Sequence, residues 1–230
     1  IKATYRSETL GETGHPDPLA LDQPFRLRVE AKKAGNAYTS SKDARVVLNP
    51  WPLVTALSQY LKPGEPDPRD PRPTEETKGG IRPRRTRLEL PRPWSGEMNW
   101  ILHAPDGYGI EVLPESHMRA FGPATLHMAW RRAENGTVEA NFRFECDRLK
   151  WTPAEVDQAR AALKAFGEAP SPVIVFQNLG EAHLEAGRLK EAMAEFRGLS
   201  QRHPTAPGPL VRLAQAEQTA GLAEASRKTL

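Results

Sequence analysis

Residues 124–153 read ATLHMAWRRAENGTVEANFRFECDRLKWTP, and the rest of the chain is arranged around this stretch. Before Asn135-Gly136 the apolar residues Ala124, Leu126, Met128 and Trp130 alternate, and after it Val138, Ala140, Phe142, Phe144 and Cys146 do the same. A period of two places each set on one face of a sheet. Asn-Gly supplies the φ > 0 residues of a tight type I′ turn, so the spacing predicts a β-hairpin with one wet face. Thr152-Pro-Ala-Glu155 then offers an N-cap Thr, a Pro at the first helical position and a Glu at the third, and predicts a helix start.

Upstream the pattern is strand-like. Residues 1–10 read as a strand, 11–24 as a loop, and Phe25, Leu27, Val29 and Ala31 alternate against Arg26, Arg28 and Glu30. Further short strands are predicted at 36–39, 44–48, 84–90, 97–103 and 110–113, with a short helix over 50–62 where Leu53, Ala56, Leu57, Tyr60 and Leu61 fall at helical spacing. The stretch 63–83, PGEPDPRDPRPTEETKGGIRP, is dense in Pro and charge and is read as a flexible loop that buries too little apolar surface to offset its ordering entropy. Many short strands with frequent turn signals suggest an antiparallel β-sandwich over 1–150.

The chain has 230 residues, 22 of them Pro, with 38% hydrophobic residues and a mean hydropathy of -0.60, low for one compact globule. This length accommodates two modules. A net charge of +3 from 32 basic and 29 acidic side chains is nearly balanced and points to no class of partner. No apolar run reaches membrane-spanning length, and no targeting signal is visible. Residue 1 is Ile and an alternating pattern begins almost at once, while Leu230 stops inside a helical pattern, so the chain reads as a segment of a larger polypeptide.

Residues 151–230 are helical in pattern throughout. A first helix over 152–167 carries Val156, Ala159, Leu163 and Phe166 on one face. Counting from Val173, Phe176, Leu179, Gly180, Gly187, Ala192, Phe196 and Pro204 occupy positions 4, 7, 8, 15, 20, 24 and 32 of a 34-residue unit. Leu210, Leu213, Ala214 and Gly221 repeat positions 4, 7, 8 and 15. This resembles the tetratricopeptide repeat, in which small residues let two antiparallel helices approach while large ones fill the groove between them. The resemblance implies one full repeat over 173–206, a truncated second repeat over 207–230, and the helix 152–167 as a cap. The expected fold class is segregated α+β, a sandwich followed by a repeat module. In stacked repeats the first helix of each pair lines a peptide-binding groove, which nominates Gln177, Glu181, Arg212 and Gln215 as a binding face.

Chemistry is harder to place. Cys146 is the single cysteine, which excludes an internal disulfide and a Cys-based metal cluster. Its register with Phe142 and Phe144 makes it a packed hydrophobe rather than an activated thiolate. His103, His117 and His127 lack metal-ligand spacing, and His183 sits where the repeat packs an aromatic, so neither metal nor cofactor is expected. Glu111, Glu115 and His117 flank Pro114, and paired carboxylates can work as acid and base, which leaves a hydrolase as an alternative. Arg82 to Arg87 is a basic run that could follow phosphates, but acidic residues flank it and no aromatics interleave, so it reads as a solvated loop with weak nucleic-acid binding as the alternative.

Taken in order, the early strand before Phe25-Arg-Leu-Arg, Leu48-Asn-Pro-Trp-Pro-Leu, Trp100-Ile-Leu, Ala104-Pro-Asp-Gly-Tyr, Leu113-Pro-Glu, Phe121-Gly, the Asn-Gly hairpin and Thr152-Pro-Ala-Glu resemble the C-terminal part of bacterial transglutaminase-like proteins. In that family a β-rich domain precedes a papain-like core, followed by a second sandwich and sometimes tetratricopeptide repeats. The resemblance implies a papain-like domain upstream in the same polypeptide and an extracytoplasmic, periplasmic setting. No segment here resembles the papain-like core. The expectation is therefore a non-catalytic scaffold whose repeat helices hold a protein or peptide, with no nucleic acid and no membrane span.

Overall fold

The computed structural model describes residues 9–10, 31–32, 37–61 and 87–230. Along the chain come strands β1 (Thr9–Leu10), β2 (Ala31–Lys32), β3 (Ala37–Thr39) and β4 (Asp43–Val47), then helix α1 (Trp51–Tyr60). Strands β5 (Leu88–Glu89), β6 (Trp94–Leu102), β7 (Tyr108–Val112), β8 (His117–Phe121), β9 (Ala124–Arg132), β10 (Val138–Cys146) and β11 (Lys150–Trp151) lead to helix α2 (Pro153–Glu168). Strand β12 (Val173–Asn178) and helices α3 (Leu179–Glu185), α4 (Leu189–Arg202), α5 (Pro207–Thr219) and α6 (Ala223–Thr229) follow. The architecture is mixed α/β with antiparallel sheets. Two compact units divide it, one of Asn49–His103 with Leu113–Pro172, the other of Ile1–Leu48, Ala104–Val112 and Val173–Leu230.

The first unit is built on the hairpin. β9 and β10 pair antiparallel from Thr125↔Glu145 to Arg132↔Val138, and the full sheet has the order β6-β10-β9-β8. The alternating residues from Ala124 to Trp130 and from Val138 to Cys146 are all buried, as the period of two requires. The turn differs from the expected two-residue type. Five residues, 133–137, connect the strands through a short 3-10 turn at Glu134–Gly136, with Gly136 at φ +71° and Ala133 N–H donating to the Thr137 carbonyl at 2.8 Å. A type I-like turn followed by a left-handed glycine uses the φ > 0 freedom once instead of twice.

Among the described residues, two helices pack against the sheet of this hairpin. α1 packs on β6 and β10, and α2 packs on β8 and on α1. The aromatic core joins these layers: Phe121 meets Phe166 of α2 edge-on at 5.5 Å, and Trp94 stacks on Phe144 at 5.5 Å. α2 starts where the sequence placed it. Thr152 Oγ1 accepts from Glu155 N–H at 3.4 Å, and the Glu155 carboxylate accepts from Thr152 N–H at 2.8 Å, a complete capping box. The helix packs on the hairpin's sheet at β8, with Val156 and Ala159 both fully buried.

In the second unit the sheet order is β3-β4-β12-β7, all antiparallel, and β1 pairs with β2. Its central feature corrects the sequence reading: Val173–Asn178 is a strand, not the first helix of a repeat. The segment VIVFQN alternates, burying Ile174, Phe176 and Asn178, and it is rich in β-branched residues that suit a pleated surface. Hydrogen-bonded partners on both sides, β4 and β7, then outweigh a helical spacing that rested on Phe176 alone. The break expected at residue 150 likewise differs from the division observed, in which the chain crosses between units at residues 48, 103, 112 and 172. Residues 63–83 and most of the strands expected at 1–10 and 25–31 lie outside the described residues.

Candidate functional site

Downstream of β12 the chain forms two helical hairpins, α3 with α4 and α5 with α6, and α4 also packs on α5. Their turns are the same object twice. Gly187 at φ +71° and Gly221 at φ +78° stand 34 positions apart. In the first turn Gly187 N–H donates to Leu184 O at 3.0 Å and Arg188 N–H to His183 O at 2.8 Å; in the second Gly221 N–H donates to Gln218 O at 3.0 Å and Leu222 N–H to Glu217 O at 2.8 Å. Each is a Schellman stop with glycine in the left-handed position that a Cβ would strain. Between the hairpins lies one apolar cluster of Ala192, Phe196, Leu199, Leu213 and Ala216, with Leu184 and Met193 packed against it. Of the repeat-signature residues, Leu179 and Gly180 sit in α3, Ala192 and Phe196 in α4, Gly187 in the turn and Pro204 after α4, while Phe176 is in β12.

The four nominated binding residues separate by environment. Gln177 is half-buried on β12. Glu181 is only 7% exposed, and Arg212 Nε lies 2.7 Å from its Oε1, so this pair ties α3 to α5 instead of facing outward. Arg212 also donates to Gln215 Oε1 at 2.9 Å. What α5 presents to solvent is the stripe Val211, Gln215 and Gln218, spaced i, i+4 and i+7. Val211 is 42% exposed, which alternation-free inspection of the helix could have found, since the buried face runs through Leu213, Ala216 and Glu217.

A second concave feature belongs to the unit built on the hairpin. A cleft of about 620 Å³ opens where β8 runs past the C-terminal end of α2. Pro114, Glu115 and His117 line it, as do Trp51, Phe166 and Arg119. His117 Nδ1 lies 2.9 Å from the Glu115 carbonyl oxygen; a carbonyl only accepts, so Nδ1 carries the proton and Nε2 remains for another partner. Glu111 is placed in the other unit, so the carboxylates flanking Pro114 are not one site within either unit. The sequence reading missed Trp51, Arg119 and Phe166. The alternation His117, Arg119, Phe121 was the available signal for one shared face.

Cys146 is fully buried between the sheet and its helices, and its Sγ contacts the Arg148 carbonyl at 3.9 Å. Burial, with a smaller contribution from the Asp147 charge, pushes the thiol up to about 11, so the thiolate a nucleophile needs is scarce near neutrality. His103 Nδ1 is 3.3 Å from Thr137 Oγ1, and His127 Nε2 is 3.8 Å from Glu145 Oε2. His183 keeps its Nδ1 buried in α3. Among the described residues no group of three His, Cys, Asp or Glu is arranged to hold a metal ion, and no helix is long and apolar enough to cross a membrane. Of the basic run, Arg87 is described and exposed, and residues 82–86 lie outside the described residues.

Compared with protein-family models and with curated proteins, the chain matches none. Among solved structures it is similar to one titled "a putative protease" from Parabacteroides distasonis, at 14% identity and a TM-score of 0.39, over 60% of this chain. The chain spans 24% of the length of that protein.

Proposed function

We propose that this chain is a non-catalytic interaction segment of a transglutaminase-like protein, in which the helices α3 to α6 hold a protein or peptide partner. The observation that supports it most directly is the recurrence of the Gly187 turn at Gly221 with the same hydrogen bonds, because helical hairpins recurring at a 34-residue spacing and stacked on one another are the units from which peptide-binding repeat surfaces are made. The exposed stripe Val211, Gln215 and Gln218 is the partner-facing surface in this reading, and the Glu181–Arg212 pair fixes the angle between successive hairpins. The buried, proton-retaining thiol of Cys146 supports reading it as a packed side chain and not as a nucleophile. A papain-like domain elsewhere in the polypeptide and an extracytoplasmic setting complete the proposal.

Selection of displayed peptides on the purified chain tests it. Enriched peptides should lose binding in Val211→Asp and Gln215→Ala variants that keep the native circular dichroism spectrum. Failure to enrich any peptide sensitive to these changes, or hydrolysis of an amide or ester substrate that disappears in Cys146→Ala, would overturn it.

A further inference from the structure

We propose that the cleft at the end of α2 binds a small apolar carboxylate, with the carboxylate on Arg119 and the apolar body against Trp51, Phe166 and Met128. Exposure along β8 shows why a cavity exists there. Phe121 is fully buried under α2, Arg119 is half-buried and His117 is exposed, so the helix covers the sheet edge at one end and leaves it open at the other. Gly167 lies beside the Trp51 ring, where a Cβ would stand at ordinary contact distance, 3.5 Å. Beyond Glu168 the Ala169-Pro-Ser-Pro172 segment turns off the helix and forms a further wall. The resulting volume falls in the range of small-molecule sites, roughly 300–1,000 Å³, which are mostly apolar with a few placed polar groups.

Arg119 sets the ligand class. Its guanidinium lies over the Phe166 ring, 5.0 Å from the centroid, and Phe166 in turn stacks on Trp51 at 6.0 Å with 17° between planes. Among the described residues no carboxylate lies in ion-pair distance of it, although Glu115 lines the same cleft. A guanidinium held on an aromatic face keeps its N–H edge for a planar anion, and a carboxylate matches that fork with two parallel hydrogen bonds. The exposed Glu115 carboxylate favours a ligand with one negative charge over a phosphate with two. The rings of Trp51 and Phe166 and the thioether of Met128 then supply contact for an aromatic or aliphatic body.

Calorimetric titration with 3-phenylpropionate tests this, with 3-phenylpropionamide as the uncharged control and inorganic phosphate as the anion without a body. The acid should bind saturably in the millimolar range or tighter, and about tenfold or more tighter than the amide, the ratio expected of one charge-assisted contact. Phosphate should not bind. Arg119→Gln should reduce acid affinity to that of the amide, and Arg119→Lys, which keeps the charge and loses the fork, should fall between them. A peptide ending in a free Phe carboxylate distinguishes the source: tighter binding than the acid assigns the site to a polypeptide terminus, and weaker binding assigns it to a free metabolite-sized acid. Equal binding of acid and amide, no binding of the acid at millimolar concentration, or an Arg119→Gln variant with native fold and unchanged affinity would overturn the proposal. None of these outcomes depends on the helical hairpins, so the site stands or falls separately from them.

Discussion

Gly180 of α3 lies against the ring of Phe196 in α4 so closely that a Cβ on residue 180 would stand 2.6 Å from Cζ of Phe196, well inside contact distance. The two helices can meet only because residue 180 has no side chain. Helix propensity alone would make Gly180→Ala stabilising by up to about 1 kcal/mol. Overpacking against a fully buried ring reverses the sign, and a loss of about 1–3 kcal/mol is expected on urea unfolding. A more stable Gly180→Ala would show that the hairpin is looser than its geometry.

The Glu181–Arg212 pair yields a second expectation. Glu181 is nearly buried, so removing its partner leaves a carboxylate with poor access to water. Arg212→Ala should cost about 2–3 kcal/mol, below the full cost of breaking a buried pair because the arginine is itself 36% exposed. In the Glu181→Gln background the same change should cost much less, and a double-mutant cycle measures the difference.

Cys146 should be silent in the folded chain and reactive in the unfolded one. A thiol reagent such as DTNB should label it at the rate of unfolding, not at the rate of a free thiol. The thiol stands at about 11 in the fold against an ordinary 9.0, so the folded state holds its proton where the unfolded state releases it. Stability from this group is present below pH 9 and is lost as pH rises from 9 through about 11, on the order of 2 kcal/mol in all. Unfolding curves of Cys146→Ala should lack that part of the alkaline slope.

The capping box predicts behaviour in acid. The Glu155 carboxyl is held below its usual range by the backbone N–H of Thr152, then by the Arg148 guanidinium and the Thr152 hydroxyl. A lowered carboxylate stabilises the fold above its ordinary value of 4.5 and ceases to do so as pH falls through its folded value. Glu155→Gln should therefore flatten the acid limb of the stability curve. Thr152→Ala should cost about 1 kcal/mol at neutral pH, seen as a lower melting temperature.

The elements that were legible in advance are those whose cause is local. The period of two from Ala124 to Cys146 placed β9 and β10 correctly, and Thr152-Pro-Ala-Glu155 placed the start of α2 to the residue. The 34-residue spacing of Gly187 and Gly221 is legible in the sequence, and in the structure both stand in left-handed helix stops, a property of one residue and its neighbours. Val173–Asn178 departs from the helical reading for the complementary reason: a run of four apolar residues suits a strand or a helix, and β4 and β7, more than 60 residues upstream at the nearer of the two, decide the choice.

Tertiary structure alone decided what each face would meet. Nothing near Arg119 in sequence announces Phe166 or Trp51, yet those three side chains make the wall of one cleft. The sequence pattern offers Glu181 and Arg212 as outward binding residues, yet the fold brings them together as an ion pair between α3 and α5. Hydrogen-bond geometry and side-chain periodicity are fixed over a few residues and can be read from the string. Which apolar stripe covers which sheet depends on contacts between distant segments, whose free energies are decided only when the whole unit closes.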